Sequence, residues 1–241
     1  MRIIFLGTAA GVPEPNRKCT CTLIDVGGCR YFIDMGVMAA SELATRGMSV
    51  ESVKGIFLTH LHGDHADGLI NLADIISWYY TKADPVICLP DLRAAEAING
   101  WLKVIGMREP RPLQYREIAP GVIFEDERIR ITAIPTKHCD RSFAFLAEAE
   151  GKTVLFCGDQ KYMDPASDFP AVAAEKDIDL AVCEGAHFPL TAYIPLMQNS
   201  RIKKGCIHHY PQINTDHLSQ LRGAMGSVPV LVASDGMEVE V

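Results

Sequence analysis

No stretch of the chain carries the ~18 consecutive apolar side chains of a membrane span. The opening run Met1-Arg2-Ile3-Ile4-Phe5-Leu6-Gly7 is too short for the apolar region of a secretory signal. No disulfide framework is indicated either. Eight cysteines (Cys19, Cys21, Cys29, Cys88, Cys139, Cys157, Cys183 and Cys206) are scattered. Without a secretory signal they read as reduced thiols in a cytoplasm. Cys19-x-Cys21 is the one close pair, and with no second pair it reads as structural thiols rather than a metal site. Positive charge is scarce: 23 Lys and Arg face 30 Asp and Glu, for a net charge of −7. That argues against a broad nucleic-acid surface while leaving room for a local basic patch. Low-complexity segments and short-period repeats are missing too, which excludes a disordered linker and a solenoid.

What is present fits a globular chain. Apolar residues make up 48% and charged residues 22% of the 241 positions, enough for a sizeable core. The length suits a single large domain over 1–241.

The chemistry concentrates in Thr59-His60-Leu61-His62-Gly63-Asp64-His65-Ala66-Asp67-Gly68. Nine of these residues, 60–68, hold three histidines and two carboxylates. Gly55 to Thr59 before them is an apolar run of strand length, and Leu69, Leu72, Ile75, Ile76 and Tyr79 after them have helical spacing. The cluster therefore falls in a strand-to-helix turn. Neutral imidazole and carboxylate suit zinc, manganese or iron, and a rigid turn can aim several of them at one point.

Taken in order, strands are expected at 2–6, 21–26, 30–34, 86–89, 122–124, 129–134, 143–147, 153–157, 180–183, 206–207 and 228–233. Gly27-Gly28 and Glu150-Gly151 mark two hairpin turns. Helices are expected at 37–47, 68–80, 91–104, 165–176 and 216–224, and a connection from Arg108 to Arg116. His217 falls at a helix start and reads as structural. The loop Gly7 to Lys18 is Gly- and Pro-punctuated, and its Arg17 is a candidate anion contact or a surface arginine. Asp34 closes a strand, where it can orient a metal-bound histidine or cap the following helix. Two runs of strands, each followed by strand–helix alternation, suggest a β-sandwich with helices outside, in four layers.

Polar ligand types recur at strand ends: His60, His62, Asp64, His65, His138, Asp159 and His209. Seven exceed what one zinc takes from protein and suit two metals ~3.5–4 Å apart. His209 is preferred to His208, because Cys206-Ile207-His208-His209 then parallels Phe57-Leu58-Thr59-His60.

The ordered set of Asp34, His60-Leu61-His62-Gly63-Asp64-His65, His138, Asp159 and His208-His209 resembles the metallo-β-lactamase-fold hydrolases over nearly the whole chain. The resemblance implies an α+β protein, a four-layer αββα sandwich with a dinuclear site between the sheets. It implies that His60, His62 and His138 hold one divalent metal ion, that Asp64, His65 and His209 hold the other, and that Asp159 bridges. Zn2+ is the expected ion, with Mn2+ or iron as alternatives. Within the superfamily the chain is similar to ribonuclease Z-type tRNA 3′-processing endonucleases. Leu6-Gly7-Thr8, Gly11-Val12-Pro13 with Arg17, Glu184-Gly185-Ala186 and Val232 to Glu238 carry that similarity. It departs from them at Pro15, Lys18 and Cys183, and the span from His65 to His138 leaves no room for a long tRNA-binding arm. Compact cyclic phosphodiesterases of phosphonate metabolism fit the length better.

The expected activity is metal-dependent hydrolysis of a phosphodiester, small or RNA. The alternatives are tRNA 3′ processing and lactone or thioester hydrolysis on the same metals. A metal-keeping binding protein is a further alternative, against which the complete ligand set speaks. Asp64 is the candidate base. His187, oriented by Glu184, is the candidate donor to the leaving oxygen, or else a hydrogen-bonded support. The partner expected is a small-molecule or short nucleic-acid phosphodiester, with no membrane; association into a homodimer stays open.

Overall fold

The computed structural model describes residues 1–106, 110–162 and 168–241. Its first half opens with three antiparallel strands, β1 (Arg2–Gly7), β2 (Cys21–Val26) and β3 (Cys29–Ile33). Gly27 and Gly28 turn β2 into β3 with φ of +56° and +84°. Both signs are those of the two-residue turn whose twist matches its strands. The chain then changes to parallel strands: β4 (Val53–Phe57), β5 (Val86–Leu89) and β6 (Gln114–Glu117). Between them run α1 (Ala39–Thr45), α2 (Gly63–Ala66), α3 (Gly68–Trp78) and α4 (Arg93–Ile105).

The second half repeats the plan. Strands β7 (Gly121–Glu125), β8 (Arg130–Pro135), β9 (Phe143–Ala149) and β10 (Lys152–Phe156) are antiparallel. Parallel strands β11 (Leu180–Glu184), β12 (Gly205–His208) and β13 (Val230–Val232) follow. The short α5 (Val172–Glu175), then α6 (Tyr193–Gln198) and α7 (Thr215–Met225), lie between them. A final strand, β14 (Glu238–Glu240), crosses back to pair antiparallel with β1. The described residues thus form two seven-stranded sheets, β14-β1-β2-β3-β4-β5-β6 and β13-β12-β11-β10-β9-β8-β7.

Three apolar clusters make the layers. Phe5, Tyr31, Phe57, Phe124, Phe145 and Phe156 lie in the cluster between the sheets. Leu69, Leu72, Ile76, Ile98 and Leu102 hold α3 and α4 on the outer face of the first sheet. Tyr193, Met197, Leu218, Leu221 and Met225 hold α6 and α7 on the second. This is the expected αββα sandwich. No helix of the described residues is long and apolar enough to cross a membrane.

Three expectations are corrected. The segment expected to connect at Arg108–Arg116 contributes Gln114, Tyr115 and Arg116 to β6, which pairs with the open edge of β5; Arg108 lies outside the described residues. Of the helix expected at 165–176, the described residues 168–176 form a single turn, Val172–Glu175, which begins only after Pro170, a residue with no N–H to donate within a helix. Residues 165–167 lie outside the described residues. The strand at 228–233 is not the last, because Val239, flanked by two glutamates, buries its side chain in the inter-sheet core.

Phe57 is fully buried, with its ring 5.4 Å from Phe124 and 6.2 Å from Phe145. Phe57→Ala should cost about 3–5 kcal/mol in urea unfolding, since it removes aromatic packing and leaves a cavity. Val104→Ala, at a side chain 80% exposed, should stay within about 0.5 kcal/mol. Equal losses would place the core elsewhere.

Candidate metal centre

The site forms where strand ends from both sheets meet. β4 delivers Thr59 and His60, His62 stands at the N-cap of α2, and α2 itself carries Asp64 and His65. His138 follows β8, Asp159 follows β10 and His209 follows β12. Open α/β sheets place ligands beyond such carboxyl ends.

Asp34 and Thr59 build the base. Asp34 is buried just past β3 with φ +60°, a costly conformation for a residue with a side chain. One of its oxygens accepts the Thr59 N–H at 2.7 Å, and the Thr59 hydroxyl donates to the carboxylate at 2.9 Å. Asp34 Oδ2 lies 2.9 Å from His65 Nδ1. Thr59 Oγ1 lies 3.1 Å from His60 Nδ1. Thr20 Oγ1 lies 2.5 Å from His209 Nδ1 and donates to the Ala9 carbonyl. Each of these three imidazoles therefore has Nδ1 engaged with a protein oxygen, which leaves the Nε2 lone pair for the centre.

Asp159 sits in the middle. Its Oδ2 is 3.2 Å from His209 Nε2, 3.7 Å from His138 Nε2 and 3.9 Å from His60 Nε2, while Oδ1 is 3.4 Å from His65 Nε2. His62 Nδ1 lies 2.9 Å from His60 Nε2 and 3.2 Å from His138 Nε2. Asp64 Oδ2 lies 3.6 Å from His65 Nε2 and 3.9 Å from His209 Nε2. In each of the sets His60–His62–His138, His60–His65–Asp159 and Asp64–His65–His209, the donor atoms fall within 4.8 Å of one another.

These residues fit a cation by their own chemistry. His65 Nε2, His209 Nε2 and Asp159 Oδ1 are buried and make no hydrogen bond, although they face one another. Buried polar atoms are ordinarily paired. Nitrogen and carboxylate donors in this number suit zinc, manganese or iron.

The electrostatics are divided. Burial, with the His65 charge beside it, pushes His60 down to about 2. Burial lowers His138 as well. Burial also pulls on His65, but the Asp34, Asp159 and Asp64 carboxylates outweigh it and hold that imidazole up at about 9. Burial raises Asp159, yet the surrounding histidines leave it well below the usual carboxylate range. His187 is raised, chiefly by its hydrogen bond to Glu184.

The structure brings all seven candidate ligands together and sets the other candidates around them. His187 is 46% exposed at the rim, with Nδ1 3.4 Å from Asp159 Oδ2 and 3.5 Å from Glu184 Oε2. Glu184 is buried and accepts N–H groups from Gln160, Ala186 and His187 at 3.0, 2.8 and 2.6 Å. It fastens the loop that carries His187. His208 points away: its Nε2 lies 2.9 Å from the Gly7 carbonyl and burial pushes it down to about 3. His217 donates its N–H to Asn214, the cap of α7. Asp34 does not cap a helix, since α1 starts after Met38. Arg17 is neither a surface arginine nor free for an anion; its side chain is 14% exposed and bonds the Tyr210 and Pro211 carbonyls.

Thr20, Thr59 and the Gly11 N–H, which donates to Asp64 Oδ2 at 2.8 Å, are supports the sequence reading did not single out. Thr59 stood inside the motif and could have been noticed there. Thr20 carries no local signal, being 189 residues from His209.

Residues 1–228 match the family model described as anti-Pycsar protein Apyc1. The chain belongs to this family. Ribonuclease Z of Listeria innocua is 33% identical over 148 residues, covering 60% of this chain and 48% of that protein. The chain thus spans about half the length of that relative. The metallo-β-lactamase-fold protein YhfI of Bacillus subtilis superposes with a TM-score of 0.79 at 16% identity, over 99% of both chains. The short form of human tRNase Z superposes at 0.74 with 21% identity, over 100% of this chain and 99% of that one. This Apyc1-family chain therefore has the metallo-β-lactamase fold, in the ribonuclease Z-like neighbourhood that its motifs suggested.

Because His209 faces the cluster and His208 the Gly7 carbonyl, the two should separate by mutation. His209→Ala should lower the metal bound per chain. His208→Ala should keep it while losing about 1–3 kcal/mol of stability from the unpaired carbonyl. Elemental analysis and urea unfolding read the two effects, and the reverse pattern would overturn the assignment.

Metal uptake should also release protons. With its pKa raised to about 9, His65 is protonated at pH 7 in the metal-free protein and must lose that proton to offer Nε2. Apparent affinity should climb roughly tenfold per pH unit between pH 7 and the His65 value, then level off. Calorimetric titrations in buffers of different ionisation enthalpy should show roughly one proton released at pH 7. No buffer dependence would mean that His65 is already neutral.

Proposed function

We propose that this chain is a metal-dependent hydrolase acting on small phosphodiesters with two divalent cations, zinc first among the candidates. The observation that carries the reading is the convergence of six ligand side chains around Asp159, with three buried donor atoms left without partners. In this reading His60, His62 and His138 hold one cation, Asp64, His65 and His209 hold the other, and Asp159 lies between. Residues 1–241 act as one domain, because supports of the site range from Gly11 to Asp159 and His209.

Bound divalent cations supply an activated water and neutralise charge on a phosphoryl group. The chain's own residues do the rest. Asp64 holds one carboxylate oxygen toward His65 and His209 and serves as the base. His187, exposed and raised toward its protonated form by Glu184, holds the proton for the leaving oxygen. Glu184 keeps that loop in place through its three N–H acceptances.

Beside His62 opens a groove of about 530 Å³ lined by Leu61, His62, Asp91, Arg93, Cys139, Asp140 and Arg141. Its two guanidinium groups are tied to carboxylates, Arg93 to Asp91 and Arg141 to Glu117. With a net charge of −7, the surface supports a short substrate better than a long polyanion. The eight free thiols suit work in a reducing cytoplasm.

A second reading is tRNA 3′ processing, favoured by the relatives named ribonuclease Z and tRNase Z. The two separate on kcat/KM. Metal-loaded protein should turn over bis-p-nitrophenyl phosphate and small diesters better than a pre-tRNA at physiological salt. It should leave lactone and thioester panels untouched. Accurate 3′ trimming of a pre-tRNA would move the reading to ribonuclease Z. His187→Ala should lower kcat by about 10²–10⁴, the range of a general acid, with metal content unchanged. A loss of metal instead would make His187 a ligand.

A further inference from the structure

We propose that Arg17 is a positioning residue for one half of the metal centre. It locks the loop of residues 8–18 onto the backbone after His209, and so holds His209 and Asp64 where one cation binds. The proposal rests on the two-cation reading above.

The loop leaves the first sheet after β1 and returns to it at β2. Asp235 ties both of its ends. Asp235 Oδ1 accepts the Thr8 hydroxyl at 2.8 Å and Oδ2 accepts the Lys18 N–H at 2.7 Å. Ala9 N–H donates to the Lys18 carbonyl at 2.8 Å, which closes the base of the loop.

Arg17 then fixes the loop to the second sheet. Nη1 donates to the Tyr210 carbonyl at 2.9 Å and Nη2 to the Pro211 carbonyl at 2.5 Å. Nε donates to Glu14 Oε2 at 3.2 Å, and the guanidinium carbon lies 4.1 Å from the centre of the Tyr210 ring. A planar fork can meet two carbonyls, a carboxylate and an aromatic face together; an ammonium group cannot.

Two metal-facing residues feel this clamp. His209 precedes Tyr210 and sits at φ +48°, a conformation that needs its neighbours held. Tyr210 N–H donates to the Thr8 carbonyl at 3.3 Å, and the Ala9 carbonyl takes the Thr20 hydroxyl that orients His209. On the loop's other side, Gly11 N–H donates to Asp64 Oδ2 at 2.8 Å. Among the described residues, no hydrogen bond links the loop to His60, His62 or His138. The clamp is therefore one-sided. It serves the Asp64–His65–His209 group and leaves the other group alone.

The test is titration of metal-free protein with Zn2+ against a chromophoric chelator, for the wild type, Arg17→Lys and Arg17→Ala. The wild type should take up two equivalents. Both variants should bind the first with wild-type affinity and the second about 10–100-fold more weakly, the usual effect of losing a support behind a metal ligand. Hydrogen exchange at the Tyr210 amide should rise in both variants, while the melting temperature of the metal-free forms stays close to the wild type. The proposal is overturned if both variants bind both equivalents normally, or if both equivalents weaken together, which would mark a general loosening. Normal binding by Arg17→Lys alone would also overturn it, since charge without the fork would then suffice. A wild type that takes up a single equivalent would refute the two-cation reading, and the proposal with it. Arg17→Lys keeps the charge and most of the packing, so the test stands even if Arg17→Ala does not fold.

Discussion

Two carboxylates, Asp34 and Asp159, are buried among imidazoles at the mouth of the sandwich, and the rest of the site is arranged around that fact. A buried carboxylate is costly unless it is paired and hydrogen-bonded. Asp34 is fully answered by the Thr59 backbone and hydroxyl and by His65. Asp159 is not. One of its oxygens has no hydrogen bond and faces His65 Nε2, which has none either. Without a cation, a proton on His65 has to balance that charge. A divalent ion would replace the proton and satisfy several orphan atoms together, so metal binding and stability of this region are coupled.

The scaffold absorbs the strain this requires. Among the described residues, Asp34 and His209 are two of the three non-glycine residues with positive φ, and both lie just past the end of a strand at the site. The strands behind them are buried and paired on both sides within their sheets. Alternation along a strand explains the neighbouring histidines. His208 is the last residue of β12 and turns its ring between the sheets, 5.2 Å from Phe5. His209 leaves the strand, and the left-handed turn redirects its side chain toward Asp159. A regular strand would have sent the two rings to opposite faces.

Local patterns made much of this readable in advance. β2 and β5 fall on their expected residues because short apolar runs bounded by turn residues identify buried strands. The motif from His60 to His65 names its own chemistry through spacing. The failures have a common cause, which is dependence on distant partners. β6 is a polar edge strand defined only by its pairing with β5. β14 is three residues long and is defined by β1, more than two hundred positions away. Asp34 had two readings from sequence, and only the position of His65 Nδ1 decides between them. Arg17 had two readings as well, and both give way because the Tyr210 and Pro211 carbonyls arrive from the far end of the chain.

The site also separates two uses of one side chain. The imidazoles of His60, His65 and His209 are buried and have Nδ1 engaged with Thr59, Asp34 and Thr20, so each turns Nε2 inward, that of His65 becoming a lone pair once its proton has left. They suit holding a cation and cannot reach solvent to exchange protons with a substrate. His187 differs on each count. It is half exposed, its Nδ1 lies between Glu184 and Asp159, and its environment favours the protonated ring. Burial pushes His60 to the other extreme. Environments that drive like groups apart in pKa commonly mark a division into ligand and acid. Depth alone does not draw that division, since the carboxylates around buried His65 hold it up at about 9. What separates the two uses is access, because a proton on His65 can only give way to a cation, whereas the ring at the rim is open to a substrate.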